Sequence, residues 1–290
     1  MSRRDRAPAA ERISEMARTL RTTPVAGRLL RVLRGPADRG LMALRRPPFK
    51  VAVDEGVLAG YLRHRAYVAH LSGGYEDFAR QLFVQALRPG ATVVDGGAHI
   101  GLYTLMSSAR IGATGRVHAF EADPYNLAAL RLNVLRNGLH NVDIVAMALS
   151  DRAGTSTYHV SSGTIASSLV SKRYVDDATE ISVETTTIDA VLGSRPAPYV
   201  VVKLDVEGAE ERVLRGAQRT LRTCAAGCVL AEHNPDALLD GGSSGSSIVE
   251  LLRELGFTPH FIDERHRALT PICATGPPTQ KGNLWATKGS

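Results

Sequence analysis

A doubly wound α/β domain with a mostly parallel sheet is the fold class this sequence predicts, and three observations predict it. From about residue 75, helical apolar spacing alternates with short β-branched runs, the mark of stacked strand and helix units. At VVDGGAHIGLYTL, residues 93 to 105, a buried-strand pattern runs into an acidic, glycine-rich turn and then a helix. Finally, 290 residues with 44% apolar content suffice for one large domain plus an extension.

The elements follow in order. YEDFARQLFVQALRPG carries Phe78, Leu82, Phe83 and Leu87 at helical spacing and stops at Pro89 and Gly90. Val93 and Val94 form the first strand, closed by Asp95, and RVHAFEAD, residues 116 to 123, forms the second. The next helix is punctuated by Asp123 as cap, Pro124 in its first turn and Gly138 at its end. NVDIVAMALSD predicts a third strand. Residues 154 to 187 break the rhythm: TSTYHV and ISVETTTI read as antiparallel excursions, either a cover over a substrate or a plain surface hairpin. YVVVKLDVEGAEERVLRGA predicts a fourth strand and helix, and GCVLAEHNP a fifth strand. GGSSGSS, residues 241 to 247, is a flexible loop before a helix in which Ser247 and Glu250 have capping-box spacing. GFTPHFID and NLWATK supply the last two strands.

Charge is divided along the chain. Residues 1 to 50 hold 13 Lys and Arg against 4 Asp and Glu, so the body carries −3 of the overall +6. Residues 1 to 70 therefore read as a basic, arginine-rich N-terminal extension, helical or partly disordered. Ile13, Met16, Ala17 and Leu20 form one stripe among arginines, a pattern suited to a membrane surface, another protein or an RNA. Arginine outnumbers lysine 30 to 5, which points to a GC-rich bacterial genome. With no apolar run of 18 residues and no secretory leader pattern, the expected location is cytoplasmic, with contact to the inner membrane face open. Cys224, Cys228 and Cys273 have neither redox-pair nor zinc spacing and read as buried thiols.

In a doubly wound sheet the ligand lies beyond the carboxyl ends of the strands. Asp95, Glu121, Ser150 and Asp151, Asp205 and Glu207, and Glu232, His233 and Asn234 stand at five successive strand ends. Glu121 is placed to accept hydrogen bonds from both ribose hydroxyls of a nucleoside cofactor. The first turn lacks the G-x-G-x-x-G of a dinucleotide site, and Asp95 would repel a pyrophosphate but suits an ammonium and a sulfonium. S-adenosylmethionine is thus favoured over NAD. Lys203, Asp205 and Glu207 lie two apart and share a side if extended, so a buried Lys203 predicts a local ion pair. Glu207, Glu210 and Glu211 fall in the first turn of the following helix, where the helix dipole favours acids.

The segments VVDGGAHIGLYTL, AFEADPYNLAALRLNVLRNGL, VAMALSDRAG, TTTIDAVL and VVKLDVEGAEERVLRGA, in that order, resemble the FkbM family of S-adenosylmethionine-dependent methyltransferases. The resemblance covers roughly residues 73 to 235, and KLDVEGAE is its most specific piece. His99 stands where the family often has Asn, and Gly96 where Val is common. The resemblance implies a seven-stranded Rossmann-like sheet with an antiparallel last strand, a class I methyltransferase domain over residues 71 to 290, and methyl transfer to a hydroxyl of a small molecule or sugar. It also implies that Asp95, Gly97 and Gly101 line the methionine part of the cofactor, Glu121 the ribose, and Ala148 and Leu149 the adenine, with Tyr75, Glu76 and Thr104 toward the amino-acid end.

For the transfer itself, Asp205 is the first candidate for removing the hydroxyl proton, with Glu232 or His233 as alternatives from the fifth strand. Asp205, Glu232 and Asn234 offer hard oxygen ligands for a magnesium ion. Three other functions remain open. They are RNA methylation using the basic leader, NAD-dependent oxidoreduction, and a binding protein without turnover. No aromatic-flanked motif for a flipped base is evident, so a stable nucleic-acid partner is not expected.

Overall fold

In the computed structural model the described residues are 49–53, 56–60, 64, 76–160, 167, 169–170, 179–194, 197–272 and 279–289. The expectations for residues 1 to 48 of the basic extension, for Tyr75 and for Cys273 lie outside them, while residues 49–53 and 56–60 of that extension, expected to be helical or partly disordered, pair as two antiparallel strands. Among the described residues three sheets are formed. The hairpin β1 (Phe49–Val53) and β2 (Gly56–Gly60) stands first, followed by helix α1 (Asp77–Ala86). The central units are β3 (Thr92–Gly96), α2 (Leu102–Ile111), β4 (Arg116–Phe120), α3 (Pro124–Arg136) and β5 (Val142–Val145). Next come β6 (Ala148–Leu149), β7 (Gly154–Val160), β8 (Thr179–Thr186) and α4 (Ile188–Leu192). The second half holds β9 (Tyr199–Leu204), α5 (Glu210–Arg215), α6 (Gln218–Thr223), β10 (Ala226–His233), α7 (Pro235–Asp240) and α8 (Gly245–Glu254). The last strands are β11 (Thr258–Asp263), β12 (Ala268–Pro271) and β13 (Gly282–Lys288).

The main sheet has eight strands in the order β12, β11, β13, β10, β9, β3, β4, β5. Strands β5, β4, β3, β9 and β10 run parallel, and β13 inserts antiparallel between β10 and β11. The winding reverses between β3 and β9, the place where a doubly wound sheet opens a ligand crevice. Seven of these strands were expected; β12 is an added edge strand paired with β11. Its segment ALTP is too short and too exposed to show the alternation that announces a strand.

Alternation along the strands sorts side chains to two cores. Val94, Val200, Val202, Val229 and Ala231 pack in one with Leu214, Ile248 and Phe261, whereas Val93, Val201, Cys228 and Leu230 pack in the other with Phe83, Tyr103 and Leu105. This parity decides which residues beyond the strand ends meet. Cys224 and Cys228 are buried and free, as expected.

Three local expectations change. NVDIVAMALSD is not one strand: Val142–Val145 joins the main sheet, while Ala148–Leu149 pairs with β8 in a separate three-stranded sheet completed by β7. The antiparallel excursion is real and is that sheet. Second, the capping box of α8 is formed by Ser244 and Ser247, three residues before the predicted pair, because Ser247 can bond the Ser244 backbone from the third helical position. Third, α5 begins only at Glu210, so Glu207 is in the preceding turn with φ 52° and not in a helical first turn. The cap at Asp123 is as expected: its carboxylate accepts from the Tyr125 and Asn126 backbone amides.

The β1–β2 hairpin is fastened to α3. Asn133 donates to the carbonyls of Ala59 and Ile100 at 3.0 and 2.7 Å and accepts from the Ala59 amide at 2.9 Å. Asn137 repeats the clasp one turn on, with Val57. One helix face thus ties the hairpin to the loop after β3. No helix among the described residues is long and apolar enough to cross a membrane.

Candidate functional site

The turn after β3 is shaped by its contact with β9. Gly97 has φ 72°, and a Cβ there would fall 1.9 Å from the carbonyl oxygen of Asp205, so only glycine lets the two strand ends meet. Gly101, at φ 98°, caps α2 where a Cβ would meet Leu130. His99 also has positive φ, 53°, a conformation that Asn and His tolerate better than most residues, which explains a His at a position where Asn is common.

Asp95 is fully buried beneath this turn. Its Oδ2 accepts the Thr104 hydroxyl at 2.5 Å, and Oδ1 accepts no hydrogen bond. Burial pushes its carboxyl above the ordinary range, against the opposing pull of Lys203 and Thr104. Thr104 was expected to approach the amino-acid end of a cofactor directly. It is itself fully buried, and its hydroxyl is given to Asp95.

Glu121 lies one residue past β4, buried, with both oxygens engaged by backbone donors. Oε2 accepts from His99 N and Oε1 from Asp123 N, each at 2.7 Å. Burial, then the nearby Asp123 charge, raise its carboxyl to about 8 despite those donors. The bond from His99 ties this carboxylate to the glycine turn. Ala148 and Leu149, also buried, are close by: Leu149 packs in the core with Phe120, and a Cβ added at Gly96 would fall 3.0 Å from its side chain. The Leu149 side chain belongs to the core.

Lys203 is the hub of the second half of the site. It follows the parity of Val201, so it points to the face that carries Tyr103 and Asp95. Its Nζ donates to Asp205 Oδ2 at 3.2 Å and to Gly97 O at 3.3 Å, and lies 5.1 Å from the centre of the Tyr103 ring. Burial draws its pKa down, but Asp205, Asp95 and Glu76 together outweigh burial and the net shift is upward. The ion pair expected from VVVKLD is therefore present, and the ammonium also faces two other acids.

Glu76 caps the start of α1 in a left-handed conformation, φ 48°. It accepts from Tyr103 Oη at 3.1 Å and from Asn283 Nδ2 at 2.9 Å. Burial, then Asp205, raise its carboxyl. The α1 start is pinned from outside by Glu264, which accepts from the Phe78 and Ala79 amides at 2.9 and 2.8 Å. Sequence reasoning missed Asn283 and Tyr103. Asn283 could have been found as the polar residue opening the otherwise apolar strand NLWAT; Tyr103 reads as ordinary helix core.

Beyond β9 and β10 the carboxylates gather. β10 pairs with β9 so that Ala231 lies opposite Leu204, which brings Glu232 abreast of Asp205, and the left-handed turn at Glu207 folds its side chain back to them. One oxygen from each of Asp205, Glu207 and Glu232 lies within 4.8 Å of the other two. Burial, then the Asp205 charge, raise Glu207 to about 7. Glu232 is raised well above its ordinary value by burial, Asp205 and Glu207, with Lys281 Nζ opposing at 2.9 Å from its Oε1. Lys281 too was missed, because it precedes the strand by one residue and carries no pattern.

Two candidates leave the cluster. His233 has the opposite parity to Glu232, is buried, and sets its ring edge-on to Phe261 at 6.0 Å, on the other face of the sheet. It cannot serve as a base beside Asp205. Asn234, the expected third magnesium ligand, is the cap of α7 and accepts from Ala237 N at 3.4 Å; Glu207 occupies its place in the acid group. Glu210 is absorbed structurally, accepting from the Val206 and Gly208 amides at 3.0 Å each, and burial followed by Glu232 raises it to about 8. Like Glu211, it needs no catalytic role.

The sheet order, with its antiparallel strand inserted beside β10, and the acid-rich crevice at the β3/β9 reversal are those of a nucleoside-dependent transferase of the methyltransferase type. The family model for the methyltransferase FkbM domain matches residues 95–259, and the chain belongs to that family of S-adenosylmethionine-dependent methyltransferases. It is 29% identical over 236 residues to 31-O-demethyl-FK506 methyltransferase FkbM of Streptomyces tacrolimicus, covering 68% of this chain and 87% of that protein. Among solved structures it is similar to an S-adenosylmethionine-dependent O-methyltransferase of Thermotoga maritima (12% identity, 84% of this chain and 78% of that one, TM-score 0.42). It is also similar to precorrin-6y C5,15-methyltransferase of Geobacter metallireducens (15% identity, 72% and 88%, TM-score 0.41).

Proposed function

We propose that this methyltransferase transfers the S-adenosylmethionine methyl group to a hydroxyl oxygen of an uncharged small molecule or sugar. The observation that carries this reading is Asp205. One oxygen is held by the buried Lys203, which also faces Asp95 and Glu76, and the residue stands part-exposed beside Glu207 and Glu232. It thus joins the half of the crevice suited to the cofactor to a half suited to an acceptor. The name of the Streptomyces tacrolimicus relative, 31-O-demethyl-FK506 methyltransferase, specifies methylation at an oxygen, which supports oxygen as the acceptor atom.

The fixed backbone donors to Glu121 hold it for the ribose hydroxyls, and Asp95, Gly97, Gly101 and Glu76 frame the methionine end. The sulfonium is already a strong methyl donor, so the protein's part is to line the acceptor oxygen up behind the methyl group and receive its proton. Asp205 orients the hydroxyl. Glu207, raised to about 7, is the member of the group matched to proton uptake near neutral pH. Acids on this side disfavour anionic acceptors and nucleic-acid backbones, so the basic leader is assigned to a membrane surface or another protein rather than to RNA. A cytoplasmic location fits this assignment. Magnesium ligation, the sequence's other expectation for these carboxylates, is separable from the transfer itself.

The test is direct. S-adenosylhomocysteine should raise the melting temperature and NAD should not. Asp205→Asn should keep S-adenosylhomocysteine affinity within a few fold while turnover falls on the order of 10²- to 10⁴-fold. Full turnover in Asp205→Asn would remove the site assignment.

A further inference from the structure

We propose that Asp205, Glu207 and Glu232 form a binding site for a hard divalent cation, Mg²⁺ or Mn²⁺, at the acceptor end of the crevice. Three carboxylates with oxygens within 4.8 Å of one another repel strongly unless a proton or cation sits among them. Two ammonium groups stand beside them. Lys203 is committed at the base of the site to Asp205 Oδ2 and the Gly97 carbonyl. Lys281 meets Glu232 Oε1, but its side chain is 62% exposed, so the pair is screened by solvent.

A second observation points to a ligand. Glu232 is only 8% exposed, and its other oxygen, Oε2, is sealed from solvent and accepts no hydrogen bond. A buried carboxylate oxygen in that state is costly without a proton or a cation. Geometry suits the second choice. Oxygens on one Mg²⁺ stand about 3 Å apart when adjacent and about 4.2 Å when opposite, from metal–oxygen distances of roughly 2.1 Å, so small rotamer changes would close the set. The all-oxygen donor set selects Mg²⁺, Mn²⁺ or Ca²⁺ over zinc or copper.

Binding does not depend on the proposed reaction; only the consequence rests on it. A cation there would lower the pKa of an acceptor hydroxyl beside it, aiding proton loss. The experiment is a titration of Mn²⁺ into the full-length protein, followed by the loss of the free-ion signal in electron paramagnetic resonance. One site with submillimolar affinity is expected in the wild type, weakened at least tenfold in Glu232→Gln and in Glu207→Gln. Calorimetric binding of S-adenosylhomocysteine by each variant reports that the fold and cofactor site persist. No Mn²⁺ binding by the wild type, or equal binding by the wild type and both variants, overturns the proposal while leaving the methyltransferase reading standing. Loss of S-adenosylhomocysteine binding by the wild type would instead overturn that reading.

Discussion

The two halves of the crevice use carboxylates in opposite ways. Around β3 and β4, Asp95 and Glu121 are buried and supplied with donors: a threonine hydroxyl for one and two backbone amides for the other. Around β9 and β10, Asp205, Glu207 and Glu232 face one another, with one buried lysine and one exposed lysine as their counter-charges. The first arrangement fixes geometry, because backbone amides cannot turn away. The second stores electrostatic tension that a proton, a cation or a substrate can relieve. A cofactor that binds the same way in every turnover suits the rigid half, and an acceptor that must lose a proton suits the tense one.

The contrast can be broken most forcefully at Glu121. Glu121→Ala takes the acceptor from the His99 and Asp123 amides and removes the carboxylate proposed to hold the ribose, so S-adenosylhomocysteine affinity should fall by about 1–3 kcal/mol, on the order of 10- to 100-fold. Calorimetry reads it, and unchanged affinity would mean the nucleoside lies elsewhere. Thr104→Val should cost about 1–3 kcal/mol of stability in a denaturant titration, since the buried Asp95 carboxylate then loses the Thr104 hydroxyl. A loss of cofactor affinity with no loss of stability would show instead that the hydroxyl contacts the ligand.

The tense half should show itself in pH. Glu207 at about 7, with Glu121 and Glu210 at about 8, holds protons in the folded chain that the unfolded chain, at 4.5, releases earlier. The folded state therefore binds more protons between about pH 4.5 and 8, and stability falls as pH rises through that window, levelling above it. Melting temperature measured across pH 5 to 9 should decline accordingly, and Glu207→Gln should flatten the part of the decline below about 7. A melting temperature that rises through this range would contradict the assignment. The smallest effect belongs to Lys281→Ala: its ion pair with Glu232, open to solvent on the lysine side, should be worth less than about 1 kcal/mol. A larger loss would mean that Lys281 closes over the cluster.

Much of this was legible before any coordinates. Buried strands announced themselves as Val and Ile runs, Asp123 and Pro124 marked the start of α3, and the pairing of Lys203 with Asp205 followed from the cost of burying a lone ammonium. Local chemistry of that kind acts over a few residues, so the sequence carries it whole. Less visible was the breaking of NVDIVAMALSD into two strands of different sheets, because periodicity cannot tell which partner a short apolar run will find.

By itself the sequence determined the parallel order of strands and helices, the family, and the carboxylates that end each strand. Which of those residues share one hollow was decided only when the sheet closed. Glu232 and His233 are neighbours in the chain with equal claims on the chemistry. The register of β10 against β9 sends one to Asp205 and the other to Phe261. Asn283, some fifty residues further on, reaches Glu76 because β13 lies beside β10. Side-chain direction is set by pairing across the sheet, and pairing is a property of the whole fold.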